Sequence, residues 1–206
     1  SEMCIRDRLY KLRRKFMSHA DGLIHADLHT SNIMASRDKM KVIDMEFAFM
    51  GPFGYDLGYL VGNLISQYCA ACFKRFPSEQ NRKQFKAYLL ATIQSLIETY
   101  MKTFTLCWER SVKERYRGQQ GLLQSILQEV MVDMPGYASM VNWFRSVSEI
   151  PYPDFDVIEN KDAKRNATVL SLMIDWGIMF GRYKYQSADD LIETIIGIEG
   201  EFRKSL

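Results

Sequence analysis

Two short runs rich in apolar residues, 32–36 and 41–44, flank the charged turn Arg37-Asp38-Lys39, and from Asp56 almost to the end the apolar residues recur at helical spacing. This confines the chain to a mostly helical body with one small β-hairpin at its edge, an α+β fold that is mostly α. The helical windows are 11–20, a segment opening at Asp56, then 78–108, 117–132, 137–147, 162–185 and 188–204. Pro135-Gly136 separates the windows on either side of it. The glycines and proline of residues 45–55 break periodicity and predict a loop, and the two prolines of residues 150–155 predict another.

With 206 residues, 47% of them hydrophobic and including 12 Phe, 11 Tyr and 3 Trp, the chain can bury one core. A net charge of +2 argues against a nucleic-acid or membrane surface, and no apolar run approaches the ~18 residues of a membrane span. No secretory signal pattern heads the chain, so the cytoplasm is the expected location. The four cysteines are too few and too irregular for a disulfide framework. Cys69 and Cys72 have the spacing of a redox pair or half a zinc site, but they fall in an apolar helical pattern and read as buried thiols. Residues 1–10 read as a non-native or disordered start, and 11–206 as the folded body.

The hairpin lies between residues of chemical interest. Asp27 follows a brief strand and is flanked by His25 and His29; Asn32 comes five residues after it, and Asp44 and Glu46 stand at the far end of the hairpin. Phosphoryl transfer needs a carboxylate to orient a hydroxyl and metal ions to neutralise phosphate charge, with little covalent work by the protein. Asp27 suits the first role. Asn32, Asp44 and Glu46 suit the second, as ligands of Mg2+. Alone, an Asp after a strand caps a turn more often than it catalyses; the order HxDxxxxN, hairpin, carboxylate is what points to a kinase-type site. His25 is expected to hold the loop by packing and hydrogen bonding. His29 is placed either to touch substrate or to brace the loop. The glycines of GPFGYDLG, residues 51–58, lack phosphate-cradle spacing, so Asp56 is expected to cap the helix that follows. A second role for it, bonding the backbone of the catalytic loop, is known from kinase-like folds.

At LIHADLHTSNIM and VIDMEFAFMGPFGYDLGYLVGNLI the chain resembles the 5-methylthioribose kinases, within the aminoglycoside phosphotransferase and choline kinase group of small-molecule kinases. The resemblance implies a protein-kinase-like C-terminal lobe whose hairpin carries the metal site. It implies ATP and Mg2+ as cofactors, a small-molecule sugar as partner, and transfer of the γ-phosphate to the C1 hydroxyl of methylthioribose. Asp27 is then the catalytic base and a substrate ligand, while Asp44 and Glu46 hold the metal. The family's pair of substrate-binding arginines has no intact match, leaving Arg182 and Lys164-Arg165 as candidates. Ala26 stands where the family has glycine, Asn32 where close members have serine, and Met45 where they have proline. Other sugars, choline-like alcohols and aminoglycosides remain alternative acceptors. No N-terminal ATP-binding lobe with its glycine-rich loop is visible, so the isolated chain is expected to be incomplete and inactive, or a binding module. The family's habit of dimerising makes a homodimer an expectation.

Overall fold

The structure, a computed structural model, describes residues 2–147 and 153–206. In chain order it runs α1 (Glu2–Ser18), β1 (Gly22–Ile24), β2 (Ile33–Ala35), β3 (Met40–Val42), β4 (Phe49–Gly51), α2 (Gly54–Phe73), α3 (Glu79–Ser111), α4 (Gln120–Val147), α5 (Lys161–Gly181) and α6 (Ala188–Lys204). The expected hairpin is present as β2 and β3, antiparallel with Ile33 opposite Val42. β1 pairs antiparallel with β4, Gly22 opposite Gly51, in a second two-stranded sheet. β4 lies inside the stretch expected to be a loop. It is only three residues long and ends on a glycine, too little for a periodicity signal.

α2 is buried around its circumference and forms the axis of the body. Val61, Ile65 and Cys69 pack with Ile93 of α3, Ile174 and Ile178 of α5, and Ile195 of α6 in one core. Gly54, Gly58 and Gly62, each one helical turn apart, form a stripe against α4. A Cβ on Gly58 would come within 2.6 Å of the Met134 carbonyl oxygen, and one on Gly62 within 2.9 Å of that of Ala138. These glycines let two helix backbones meet where side chains would hold them apart.

α4 corrects the two separate helices expected at 117–132 and 137–147. It passes through Pro135 without ending. An interior proline removes one helical hydrogen bond and costs about 3 kcal/mol. Here the neighbouring turn is locked from outside: Met134 and Ala138 lie against α2, while Gly136 admits Leu12 and Arg182 within 3 Å of where its Cβ would be. The Ser139 hydroxyl donates to the carbonyls of Pro135 and of Asp175 (2.9 and 2.8 Å).

Residues 2–10 of the span expected as a non-native or disordered start belong to α1, which begins at Glu2. Arg8 donates to the carbonyls of Met179 and Phe180 at the end of α5 (both 3.2 Å) and lies over the Phe180 ring. Of the loop expected at 150–155, Pro153–Phe155 form a 3-10 turn, and 150–152 lie outside the described residues. α6 has the expected bounds, fixed by a capping box between Ser187 and Asp190. Cys69 and Cys72 are buried free thiols, as expected, and Cys107 is exposed. No helix among the described residues is long and apolar enough to cross a membrane.

Glu199 of α6 ties the far side of the core. Its carboxylate accepts hydrogen bonds from Tyr68, Cys72, Lys86 and Arg203. Burial alone would raise its pKa, but the bonds from Lys86, Tyr68 and Arg203 win and bring it down to about 2. An acid whose pKa is lower folded than unfolded stabilises the fold above its unfolded value, near 4.5, and loses that contribution as pH falls toward 2. Urea denaturation at several pH values should therefore show Glu199→Gln markedly destabilising at pH 6, with the gap to wild type closing between pH 4.5 and 2. Gly58→Ala should lower stability by roughly 1–3 kcal/mol, read as a lower denaturation midpoint with unchanged slope.

Candidate active site

The loop from His25 to Thr30 is shaped by one face of α2. Asp56, Tyr59, Asn63 and Gln67 follow one another at three- or four-residue steps and so project from the same side of the helix. The Asp56 carboxylate accepts from the main-chain N–H groups of His25 (2.6 Å) and Ala26 (2.9 Å). Tyr59 donates its hydroxyl to Asp27 Oδ1 (2.6 Å). Asn63 Oδ1 accepts from the Thr30 N–H (3.0 Å) and hydroxyl (2.8 Å), and Gln67 donates to that hydroxyl (3.1 Å). Asp56 thus holds the loop from His25 to Thr30 and does not cap its helix, which starts at Gly54 after Phe53 with no side-chain cap. Burial raises the Asp56 pKa, opposed by the bonds from His25 and Ala26.

His25 lies within the loop and bonds at both ring nitrogens. It is buried; its Nε2–H donates to the Ile43 carbonyl (2.8 Å), and its Nδ1 accepts from the Asp27 N–H (3.3 Å). Those two bonds together require the neutral ring protonated on Nε2. The first also ties the loop to the strand end that carries Asp44.

Ala26 has φ +68°, in the left-handed region where glycine is favoured. Its backbone is pinned there by Asp56. A left-handed alanine costs roughly 1–2 kcal/mol, partly offset because glycine loses about 0.5–1 kcal/mol more on folding. Ala26→Gly should therefore raise stability, by on the order of 0.5–1 kcal/mol in chemical denaturation.

The Asp27 side chain is 22% exposed and faces a cleft of about 620 Å3. Oδ1 is engaged by Tyr59 and lies 3.5 Å from Arg145 Nη2; Oδ2 has His29 Nε2 at 3.4 Å and Asn32 Nδ2 at 3.5 Å. His29 therefore stands over the loop beside the carboxylate. The cleft wall beyond is aromatic and apolar, with Phe16, Tyr55, Tyr137, Met140 and Phe144, and Arg13 also lines it.

Asn32 is buried, and its Nδ2 donates to the Asp27 main-chain carbonyl (3.0 Å), which leaves Oδ1 as its atom for a metal. Asp44, at φ +65°, and Glu46 lie beyond the end of β3 and are exposed. Among the described residues no three His, Cys, Asp or Glu side chains form a ready-made metal cage. Two exposed carboxylates suit Mg2+ all the same. That ion is held by one or two carboxylates together with water and substrate phosphates.

Arg182 is not brought to the cleft. It is 2% exposed, donates to the Val132 carbonyl (3.2 Å) and the Tyr183 hydroxyl (2.7 Å), and pairs with Asp133. Its long side chain fills the space beside Gly136 between α1, α4 and the end of α5, which corrects its expected place at the substrate. Lys164 pairs with Asp156, and Arg165 is exposed. The arginine at the site is Arg145, whose Nη2 donates to the Tyr59 hydroxyl (2.8 Å). The sequence offered little to single it out, since an arginine in the last turn of a helix is ordinary.

A profile of the phosphotransferase enzyme family matches residues 3–97, the span that holds Asp27, Asn32, Asp44, Glu46, Asp56, Tyr59 and Asn63. The chain is 32% identical over 197 residues to the methylthioribose kinase of Geobacillus thermodenitrificans, covering 94% of this chain and 47% of the relative. Over residues 3–97 the chain is thus similar to the phosphotransferase enzyme family. The methylthioribose kinase of Geobacillus kaustophilus is 33% identical over 188 residues, covering 89% of this chain and 45% of the relative. That of Bacillus cereus is 29% identical over 189 residues, with 92% and 45% covered. The chain spans about half the length of the curated relatives it matches.

Proposed function

We propose that this chain is the acceptor-binding, C-terminal lobe of an ATP-dependent kinase of small hydroxylated metabolites, with methylthioribose as acceptor. The observation that carries the reading is the Asp27 carboxylate, held on a shaped loop and facing an open cleft. An acceptor hydroxyl bonded to that carboxylate is oriented toward the phosphate and gives up its proton there as the new O–P bond forms. The aromatic and methionine wall supports an acceptor that pairs hydroxyl groups with an apolar tail, as a thiomethyl sugar does. The names of the relatives support the same acceptor.

ATP would bring Mg2+ to the exposed side, where Asp44, Glu46 and Asn32 Oδ1 are the residues to hold it; the bound ion would neutralise charge on the transferring phosphate. Chain residues supply the rest of the chemistry: Asp27 orients the hydroxyl, and the α2 stripe keeps Asp27 in place.

A nucleotide-binding lobe is proposed to complete the site. Leu23, Met34, Met40, Met45, Phe47 and Met50, all on or beside the two small sheets, are at least half exposed. So much apolar surface in one region marks a face that another unit covers. On this reading the 206 residues alone are inactive, and the half-length match to the relatives agrees with that.

The test is ATP-dependent phosphate transfer across a panel of sugars, alcohols and aminoglycosides, run with this chain and with its reading frame extended upstream. Expected are methylthioribose turnover by the extended protein, its loss by at least 10²-fold in Asp27→Ala, and none by the 206 residues. Turnover of another panel member but not of methylthioribose would refute the acceptor. Turnover by the 206 residues, lost in Asp27→Ala, would refute their inactivity.

A further inference from the structure

Asp27 Oδ1 is already bonded, and the direction of that bonding is forced. An arginine can only donate hydrogen bonds. Because Arg145 Nη2 donates to the Tyr59 oxygen (2.8 Å), the Tyr59 proton is directed elsewhere, and Asp27 Oδ1 lies 2.6 Å away to receive it. The three groups form a one-way chain from guanidinium to phenol to carboxylate. Both supporting residues stand on rigid elements: Tyr59, 6% exposed, on α2, and Arg145 on the last turns of α4. Those two helices are held at close approach by the glycine stripe described above. Oδ2 is left facing His29 and Asn32 at 3.4 and 3.5 Å, distances at which no strong bond is made.

We propose that Tyr59 and Arg145 are positioning residues that occupy Oδ1 of Asp27, so that Oδ2 alone receives the acceptor hydroxyl. The inference rests on the kinase reading above. In the transfer step the acceptor oxygen forms its bond to the γ-phosphorus, the bond from phosphorus to the bridging oxygen of ADP breaks, and the hydroxyl proton passes to Oδ2. Neither Tyr59 nor Arg145 exchanges a proton with substrate. Without them the carboxylate can rotate about its Cβ–Cγ bond, and the hydroxyl no longer meets a fixed oxygen. Misplacement of a catalytic group by about an ångström lowers rate by roughly 10²-fold.

Steady-state kinetics of the upstream-extended protein separates this from a contact with substrate or a purely structural role. Tyr59→Phe keeps the ring and loses the donor; kcat should fall roughly 10- to 100-fold with KM for the acceptor changed less than about threefold. Arg145→Met should lower kcat in the same way, and Arg145→Lys should recover part of it. The double variant Tyr59→Phe, Arg145→Met should be no worse than the worse single one, because both act through one carboxylate oxygen. An effect confined to KM, an unchanged kcat in Tyr59→Phe, or additive losses would overturn the proposal. Asp27→Ala separates the two readings: activity surviving in it sinks the catalytic assignment of Asp27 itself. An inactive Asp27→Ala beside an undiminished Tyr59→Phe sinks only the positioning role.

A second measurement needs no turnover and uses the 206-residue chain. With the tyrosine ζ-carbons labelled, NMR should find the Tyr59 phenol titrating at about 12, raised from 10.0 by burial and by the bond to Asp27. Asp27→Asn should lower that value, and Arg145→Met, which removes a bond that lowers it, should raise it. A Tyr59 titration indifferent to both substitutions would show that the chain of three does not exist.

Discussion

The site depends on a carboxylate that takes no part in the chemistry. Asp56, in the first turn of α2, binds two successive backbone N–H groups of the loop before Asp27. Two charge-assisted bonds of this kind are strong enough to hold Ala26 in a left-handed conformation that an alanine resists. The turn at Ala26 sends the chain back across α2, so that Asp27 meets Tyr59 and Thr30 meets Asn63. Each next contact follows from the last one because all the α2 side chains share a helix face.

The same helix works on two sides. Its polar stripe shapes the loop, and its glycine stripe seats α4, whose own face then supplies Tyr137, Met140, Phe144 and Arg145 to the cleft. Carboxylate and cleft wall are therefore positioned by one rigid body. The carboxylates of Asp44 and Glu46 differ: they lie beyond a short exposed hairpin, linked to the loop through the bond from His25 to the Ile43 carbonyl. A rigid side around Asp27 and an open side around Asp44 and Glu46 agree with the proposed division between an acceptor and a nucleotide carried by another lobe.

The sequence carried much of this. The hairpin, the helical body and the bounds of α6 all follow from local rules, because turn residues, caps and periodicity are local signals. The continuity of α4 is not legible locally, because Pro135 is a strong local stop that only long-range packing overrides. Asp56 is a good local cap by residue type, and its bonds to residues some 30 positions away leave no mark in the pattern. Arg182 and Arg145 are indistinguishable as letters. What separates them is that one fills a gap between helices while the other meets Tyr59 across two helices, facts created by the tertiary fold.

Amide hydrogen exchange in this chain tests most directly whether α2 sets the loop that carries Asp27. If the polar stripe holds it, the amides of His25, Ala26 and Thr30 will exchange as slowly as those in the middle of α2, though they lie in a loop beside an open cleft. Exchange of those three amides at the rate of an unstructured loop, while α2 itself stays protected, would contradict the account.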